Sequence, residues 1–207
     1  MLCFVSKRLT VLATPKTAST SIEAALLPHA DVIIRGPTTM KHMRYQTYRM
    51  TMETMLRRRA GGHLTTCALM REPVSWLGSW YRYRQRDRLC GSPSSTREIS
   101  FDEFVAGYLQ DPQPAHARIG RQSRFLTDAR NGRRVDRIWR YDDIADFVAF
   151  LEERLSLTLV LPQLNLSEGG GGSGVGQPEL SSGMRQQLRD ALAEDFALYE
   201  SLARQPS

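Results

Sequence analysis

Residues 10–21 combine a short apolar run, a lysine and a series of small hydroxyl residues. Residues 11–13 suit a buried strand, and the polar stretch 17–21 precedes a stretch with helical apolar spacing. Backbone N–H groups at such a helix N-terminus lack intrahelical partners, and the helix dipole adds partial positive charge there. Lys16 supplies a full positive charge. The segment therefore predicts a binding site for a phosphate or sulfate group.

The segment is not a Walker A loop, because that motif requires glycines before its lysine. Ala13, Thr14 and Pro15 stand before Lys16 instead. An ordinary capped helix that follows a strand, with Lys16 simply solvated, explains this segment equally well. The choice between the two interpretations depends on a second motif.

The second motif spans residues 67–81, where an apolar strand again leads into a helix. Arg71 ends the strand, and Pro73 occupies a position that a first helical turn tolerates. Ser79 follows on the helix, eight residues after the arginine, and Tyr81 comes two residues later.

Taken together, the Pro-Lys-Thr-x-x-Thr-Ser loop and the Arg-Glu-Pro strand end resemble the PAPS-dependent sulfotransferases, and most closely their Golgi carbohydrate and related bacterial branch. The resemblance implies a three-layer α/β/α, P-loop-like fold with a central parallel sheet. It implies that the first loop binds the 5′-phosphosulfate of 3′-phosphoadenosine 5′-phosphosulfate (PAPS), and that the Arg and Ser bind the 3′-phosphate. The nucleotide-binding residues carried over are Pro15, Lys16, Thr17, Ala18, Ser19, Thr20, Ser21, Arg71 and Ser79.

Shorter segments follow in the order of this family along most of the chain. They are Lys41-His42 and residues 100–104, 122–126, 140–143, 161–167 and 195–199. Two departures stand out: Trp76 lies where the family often has arginine, and Ala18 and Ser19 replace the usual loop glycines. Neither departure removes a backbone donor.

Sulfuryl transfer to a hydroxyl or amine requires a base, positive charge on the departing phosphate and in-line placement of donor and acceptor. No metal is required. Lys16 suits the charge role. His42 is the predicted base because it follows the second predicted strand, at the same sheet edge as the loop. A lone loop histidine is more often a surface or packing residue than a catalyst, and Glu23 and Glu53 are the fallback bases.

The acceptor cannot be identified from a motif, although a carbohydrate fits the resemblance. Lys41 and Arg44 flank His42, and these cations would lower its pKa and could bind an anionic acceptor such as an acidic saccharide.

Composition favours one domain: the chain has 207 residues, of which 41% are hydrophobic and 24% charged. No apolar stretch approaches the roughly 20 residues that cross a bilayer. The predicted anion-binding strand begins almost at Met1, so a cleavable signal peptide would remove it. We therefore expect a cytoplasmic, bacterial-type enzyme with no membrane partner. The three cysteines form no C-x-x-C pair, which argues against a disulfide framework or a zinc site.

The net charge of +6 raises nucleic-acid binding as a rival function. We do not expect it, because the arginines are mixed with acids and no helix-turn-helix, zinc-finger or RNP pattern occurs. Two further alternatives stay open. A P-loop phosphotransferase would need magnesium and a carboxylate at a strand end. A non-catalytic nucleotide or anion binder would use the same scaffold without turnover.

Hydrophobic patterning predicts strands at 9–14, 31–35, 64–70 and 135–140, alternating with helices at 19–27, 44–60 and 73–88. Later helices are expected after Ser100, with Glu103 completing a capping box, after Asp142 or Asp143, and from about Ser182. The order is that of an α/β domain. Glycine-rich residues 168–176 predict a flexible surface loop, with Asn165 and Ser167 at its root. The resemblance to sulfotransferases implies, as an alternative, a loop that folds over the nucleotide.

Overall fold

The computed structural model describes residues 1–162 and 178–202. The expectations for Asn165, Ser167 and residues 168–176 lie outside these residues. Five strands form one sheet in the order β3-β1-β2-β4-β5. They are β1 (Leu2–Phe4), β2 (Leu9–Val11), β3 (Val32–Ile33), β4 (Thr65–Met70) and β5 (Arg137–Arg140). The four predicted strands are all present.

The sheet is mixed, which corrects the expectation of a parallel sheet. Strand β2 pairs parallel with β4 and β4 with β5, whereas β1 runs antiparallel to both of its neighbours. Strand β1 was not predicted from the sequence. It connects to β2 through a tight turn in which the Arg8 amide donates to the Val5 carbonyl at 3.1 Å. So short a connection can join only antiparallel strands, since parallel pairing needs a long crossover.

Ten helices are described. They are α1 (Ser19–Leu26), α2 (Thr38–Lys41), α3 (Tyr45–Thr51), α4 (Glu53–Ala60), α5 (Pro73–Arg84), α6 (Phe101–Leu109), α7 (Gln122–Leu126), α8 (Ile144–Leu155), α9 (Ser182–Ala191) and α10 (Ala193–Ser201). The predicted helix 44–60 is split at Met52, the last helix is split at Leu192, and the third ends at Arg84 rather than near 88.

The capping predictions have different outcomes. Ser100 and Glu103 form the full capping box: Glu103 N donates to Ser100 Oγ at 3.2 Å, and Ser100 N donates to Glu103 Oε2 at 2.7 Å. Asp143 is the residue before α8, but its side chain accepts no capping hydrogen bond. The adjacent Asp142 instead accepts from the Tyr199 hydroxyl at 2.7 Å.

Helices cover both faces of the sheet because successive strand residues point to opposite sides. On one face Ala68 and Met70 pack in a cluster with Tyr48 and Leu56 of α3 and α4. On the other face Cys67 joins a cluster that includes side chains of α1 and α8. The residues that α1 and α8 contribute include Ile22, Leu26, Phe147 and Leu151. A third cluster packs α5 and α6 against α9 and α10.

This arrangement brings the two predicted motifs to one edge of the sheet. Since β2 and β4 are parallel, the chain leaves both strands at the same side, and the Leu12 amide still donates to the Cys67 carbonyl at 2.9 Å. Residues 13–18 and Arg71 therefore leave the sheet next to each other. None of the described helices is long and apolar enough to cross a lipid bilayer.

Candidate anion-binding site

The loop between β2 and α1 has an unusual backbone. Lys16 has a φ of 66° and Ala18 a φ of 54°, both in the left-handed region that favours glycine. For residues with a Cβ this conformation costs about 1–2 kcal/mol each. Turns with left-handed residues direct N–H groups into an anion-binding concavity. The strain is therefore located where the sequence predicts a bound anion.

Side chains hold the carbonyl groups of this loop. Four successive carbonyl oxygens each accept a hydrogen bond from a side chain, and three of the donors come from other parts of the fold. The pairs are His42 Nδ1 with Ala13 O at 2.7 Å, Thr17 Oγ1 with Thr14 O at 2.9 Å, Trp76 Nε1 with Pro15 O at 2.9 Å, and Arg71 Nη1 with Lys16 O at 3.5 Å. The loop is thereby tied to α5, to the end of β4 and to the segment after α2.

The amide groups of this loop and of the start of α1, unlike the carbonyl groups, lack hydrogen-bond partners. Within residues 1–162 and 178–202, none of the N–H groups of residues 16–21 donates to a protein acceptor. The first bond of helix α1 runs from the Ile22 amide to the Ala18 carbonyl at 3.1 Å. Unpaired donors at a helix N-terminus, with the dipole behind them, form a ready site for a negatively charged group.

The Lys16 side chain lies against two aromatic rings of α5. Its Nζ is 4.0 Å from the centre of the Tyr83 ring and 5.5 Å from that of Trp80. The pKa of Lys16 is lowered to about 7, mainly by burial and in addition by the positive charges of nearby arginines. Those arginines are Arg86, Arg71, Arg82 and Arg88.

Five cations thus gather at this edge of the sheet, and in the described part of the chain none of them forms an ion pair with a carboxylate. We call these residues the cation cluster: Lys16, Arg71, Arg82, Arg86 and Arg88. The neighbouring carboxylate of Asp87 pairs with Arg97. These cations repel one another and lower the pKa of Lys16. The arrangement therefore favours the binding of an anionic ligand.

Arg71 is positioned by its backbone as well as by its side chain. Gln122 accepts a hydrogen bond from the Arg71 amide at 2.9 Å and donates one to the Arg71 carbonyl at 2.7 Å. The guanidinium donates from Nε to Ser75 Oγ at 2.9 Å and stacks on the Tyr141 ring at 4.7 Å. The Arg71 side chain is thereby directed toward the loop that carries Lys16.

Gln122 is itself fixed from the other side of the fold. The next residue, Ser123, donates to the buried carboxylate of Asp195 from its amide at 3.0 Å and from its hydroxyl at 2.6 Å. Gln122 is 1% exposed and Asp195 2% exposed. A chain of buried hydrogen bonds therefore runs from α10 through the start of α7 to the backbone of Arg71.

Ser79 lies on α5, half-buried, one helical turn beyond Ser75. The structure brings Arg71 into contact with Ser75, not with Ser79. The hydroxyl group of Ser79 has no protein hydrogen-bond partner in residues 1–162 and 178–202. Ser75, four residues after Arg71, was missed at the sequence level, although this spacing is the one at which helical neighbours meet.

His42 reaches the same loop from the segment after α2. Because the Ala13 carbonyl can only accept, the 2.7 Å contact requires the proton to be on Nδ1, which leaves the lone pair on Nε2. Burial lowers the pKa of His42, so the neutral imidazole is favoured. A neutral ring with Nε2 unprotonated is the form that a general base needs.

The fallback bases are engaged elsewhere. Glu23 pairs with Arg35 at 2.7 Å and with Lys41 at 2.8 Å. Burial opposes the charged form, but these two partners bring the pKa of Glu23 below its usual value. Glu53 pairs with Arg49 at 3.3 Å, on the α4 side of the sheet.

Comparison with protein-family models, curated proteins and solved structures finds no match. Among the described residues, no three His, Cys, Asp or Glu side chains form a group that could hold a metal ion. The three cysteines are free: Cys3 and Cys67 are buried and Cys90 is exposed.

Proposed function

We propose that this protein is a PAPS-dependent sulfotransferase with a P-loop-like sulfotransferase fold, which transfers the sulfuryl group to a hydroxyl or amine of an acceptor, with a carbohydrate as the favoured class. One observation carries the proposal. Four successive carbonyl groups of residues 13–16 accept side-chain hydrogen bonds, the amides of residues 16–21 lack protein acceptors among the described residues, and the five cations gathered there form no ion pair with a described carboxylate. A nucleotide with a 5′-phosphosulfate and a 3′-phosphate would bind to these amides, to Lys16 and to Arg71.

Each residue of the site has a distinct role in this proposal. The amides of residues 16–21 and Lys16 bind the 5′-phosphosulfate, and Arg71 binds the 3′-phosphate from the neighbouring strand end. Ser75 orients the guanidinium of Arg71, and Ser79 is a further hydroxyl on the same helix. Two anionic groups are thereby held at the ends of two adjacent parallel strands.

Transfer requires a proton acceptor and a stabilised leaving group. As the acceptor oxygen bonds to sulfur, its proton passes to Nε2 of His42, and the bond between sulfur and the bridging oxygen breaks. The charge that develops on the departing 5′-phosphate is neutralised by Lys16 and the loop amides. Binding of this anion raises the pKa of Lys16 again, so the ammonium form is present when it is needed.

The two alternatives are less well supported. A P-loop phosphotransferase would carry a carboxylate at the strand end where Arg71 stands. A non-catalytic binder would not require a general base. His42 is oriented as one, because its Nδ1 donates to the Ala13 carbonyl and its Nε2 carries the lone pair.

The first experiment is calorimetric titration with 3′-phosphoadenosine 5′-phosphate, adenosine 5′-phosphosulfate and ATP with magnesium. We expect micromolar binding of the first ligand that weakens about 10-fold to 100-fold when the 3′-phosphate is absent, because a charge-assisted contact is worth about 1.5–3 kcal/mol. No binding, or a preference for ATP with magnesium, would overturn the proposal.

The second experiment separates an enzyme from a binder. His42→Asn keeps a donor for the Ala13 carbonyl and removes the base, so transfer of labelled sulfur from PAPS to arrayed hydroxyl acceptors should fall about 10²-fold to 10⁴-fold. Nucleotide affinity should stay the same. The exposed His29, at the opposite end of the sheet, offers the control His29→Asn, which should leave transfer unchanged. Binding without transfer in the unmodified protein would indicate the non-catalytic alternative.

A further inference from the structure

We infer that the acceptor is an acidic oligosaccharide, bound through an anionic group by Arg86 and Arg88 around the ring of Tyr83. The inference rests on the proposed function and adds the substrate class. It places the acceptor beyond the C-terminal end of α5, on the side of Lys16 where Tyr83 lies.

Tyr83 is the centre of the arrangement. The guanidinium carbons of Arg86 and Arg88 each lie 4.9 Å from the centre of its ring, and Lys16 Nζ lies 4.0 Å from it. Arg88 also donates a hydrogen bond to the Tyr83 hydroxyl. Three cations therefore contact one side chain, although their charges repel one another.

Nearby carboxylates do not neutralise this group. Asp87, which lies between the two arginines in the sequence, pairs with Arg97. Arg86 and Arg88 form no ion pair with any carboxylate in the described part of the chain. A ligand that brings negative charge would relieve the repulsion, and the planar guanidinium fork is suited to carboxylate or sulfate.

The other candidate anion site has one cation fewer by the same criterion. The sequence places it at Lys41 and Arg44, beside His42. Lys41 lies 2.8 Å from the buried carboxylate of Glu23, and only 18% of its side chain is exposed. The charge of Lys41 is already balanced, so among the described residues this site keeps only Arg44 without an ion pair, whereas Arg86 and Arg88 both lack one.

The nucleotide does not need these two arginines. Its 5′-phosphosulfate has the loop amides and Lys16, and its 3′-phosphate has Arg71. A nucleic acid is the less suitable polyanion, because base stacking requires an open aromatic face and the Tyr83 ring is in contact with three cations. A sugar chain supplies what remains necessary: a hydroxyl to accept the sulfuryl group and an acidic group close to it.

The test uses the full chain saturated with 3′-phosphoadenosine 5′-phosphate and four probes. They are a hexasaccharide with uronic-acid carboxylates only, its sulfated form, its carboxyl-reduced neutral form, and single-stranded DNA of matching charge. The variant is Arg86→Gln/Arg88→Gln. The control, Arg57→Gln/Arg58→Gln, removes the same charge from exposed positions of α4.

We expect the variant to bind one or both anionic hexasaccharides at least about tenfold more weakly, and the control to change affinity less than about twofold. The carboxylate-only and sulfated forms show which anion is preferred. The inference is overturned if neither anionic hexasaccharide binds the unmodified protein, if the neutral form binds as well, if both variants lose affinity equally, or if DNA binds more tightly than either.

Nucleotide titration keeps the two claims apart. If the unmodified protein fails to bind 3′-phosphoadenosine 5′-phosphate, the proposed function fails, whatever the sugars do. If that binding is normal in the unmodified protein but lost in Arg86→Gln/Arg88→Gln, the two arginines belong to the nucleotide site and the acceptor assignment is wrong.

Discussion

Two arginine-rich regions of this protein differ in whether their positive charges are paired with a carboxylate. Around Asp128, Arg49 Nη1 lies 3.0 Å and Arg130 Nη2 2.8 Å from a carboxylate that is fully buried. Hydrogen bonds from Arg130, with support from Arg49, lower the pKa of Asp128 to about 2. In the cation cluster no carboxylate of the described residues plays this part, and the pKa of Lys16 falls to about 7 instead.

The difference separates structural arginines from ligand-binding ones. Arginines around Asp128 find their counter-charge inside the chain and connect α3 to the loop after α7. The charges of the cation cluster repel one another, which lowers the stability of the ligand-free protein. Binding of an anion would relieve this repulsion. Counting charges along the sequence cannot distinguish the two cases. Asp128 is next but one to Arg130 and binds it, whereas Asp87 lies between Arg86 and Arg88 and pairs with Arg97 instead.

Lys16→Met should have the largest effect. Transfer should fall at least about 10²-fold to 10³-fold, because the charge on the leaving group loses its main stabiliser. The free energy of unfolding should rise by on the order of a few kcal/mol below pH 7, because a buried ammonium group is removed. Sulfur transfer and thermal unfolding at several pH values measure both effects.

The sign of the pH effect follows from the lowered pKa. Between about pH 7 and the ordinary lysine value of about 10.4, the unfolded chain binds more protons at Lys16 than the folded protein does, so stability rises with pH. This part of the rise should be absent in Lys16→Met. An unchanged pH profile would show that Lys16 is not buried as a charge.

Arg71→Gln and Arg49→Gln test the comparison directly. Arg71→Gln should weaken binding of 3′-phosphoadenosine 5′-phosphate about 10-fold to 100-fold through loss of a charge-assisted contact, with little change in unfolding temperature. Arg49→Gln should lower the unfolding temperature by several degrees, since it leaves Asp128 with one partner fewer, and it should not change nucleotide affinity. If each variant affected both properties, the separation of roles would be wrong.

Gln122→Leu should have a smaller and more selective effect. Loss of the two hydrogen bonds to the Arg71 backbone should loosen the strand end and reduce the preference for a 3′-phosphate several-fold, while affinity for adenosine 5′-phosphosulfate hardly changes. Gln122→Glu retains an acceptor for the Arg71 amide and is the matched variant. A purely structural glutamine would affect both nucleotides equally.

The smallest expected signal is a fraction of a proton. Above pH 7 Lys16 is partly neutral in the free protein, and anion binding should restore its charge. Calorimetry at pH 7.5 in two buffers of different ionisation enthalpy should therefore detect net proton uptake on nucleotide binding. Uptake should vanish in Lys16→Met and should persist in Arg49→Gln.

Much of the fold could be predicted from local pattern. The four strands other than β1, the helix after Lys16 and the Ser100 capping box depend on periodicity and on contacts a few residues apart. Strand β1 was missed although it is as long as β2, because its place in the sheet depends on antiparallel pairing with β2 and β3 rather than on a local pattern. The split at Met52 was missed because the apolar spacing continues across it.

The site could be predicted only in outline. The loop and Arg71 are visible because residue type and strand position suffice to find them. Gln122, Tyr83 and the pairing of Lys41 with Glu23 depend on contacts across 12 or more positions of the sequence or on the packing of α5, which spacing does not reveal. Ser79 was predicted to bind the 3′-phosphate together with Arg71, which stays a prediction, whereas the hydrogen bond from the Arg71 guanidinium to Ser75 was not predicted.

The hydrogen-bonded carbonyl groups of the loop also determine how much its sequence can change during evolution. Bonds from His42, Trp76 and Arg71 end on main-chain oxygens, which every amino acid supplies. These bonds therefore constrain the identities of Ala13 and Pro15 weakly, whereas the identities of the three distant donors are strongly constrained. Among descendants of this chain, the residue types in the loop could therefore change while its backbone conformation is kept. The inherited signature of the site would then be found in residues 29 to 61 positions away from the carbonyls that they bind.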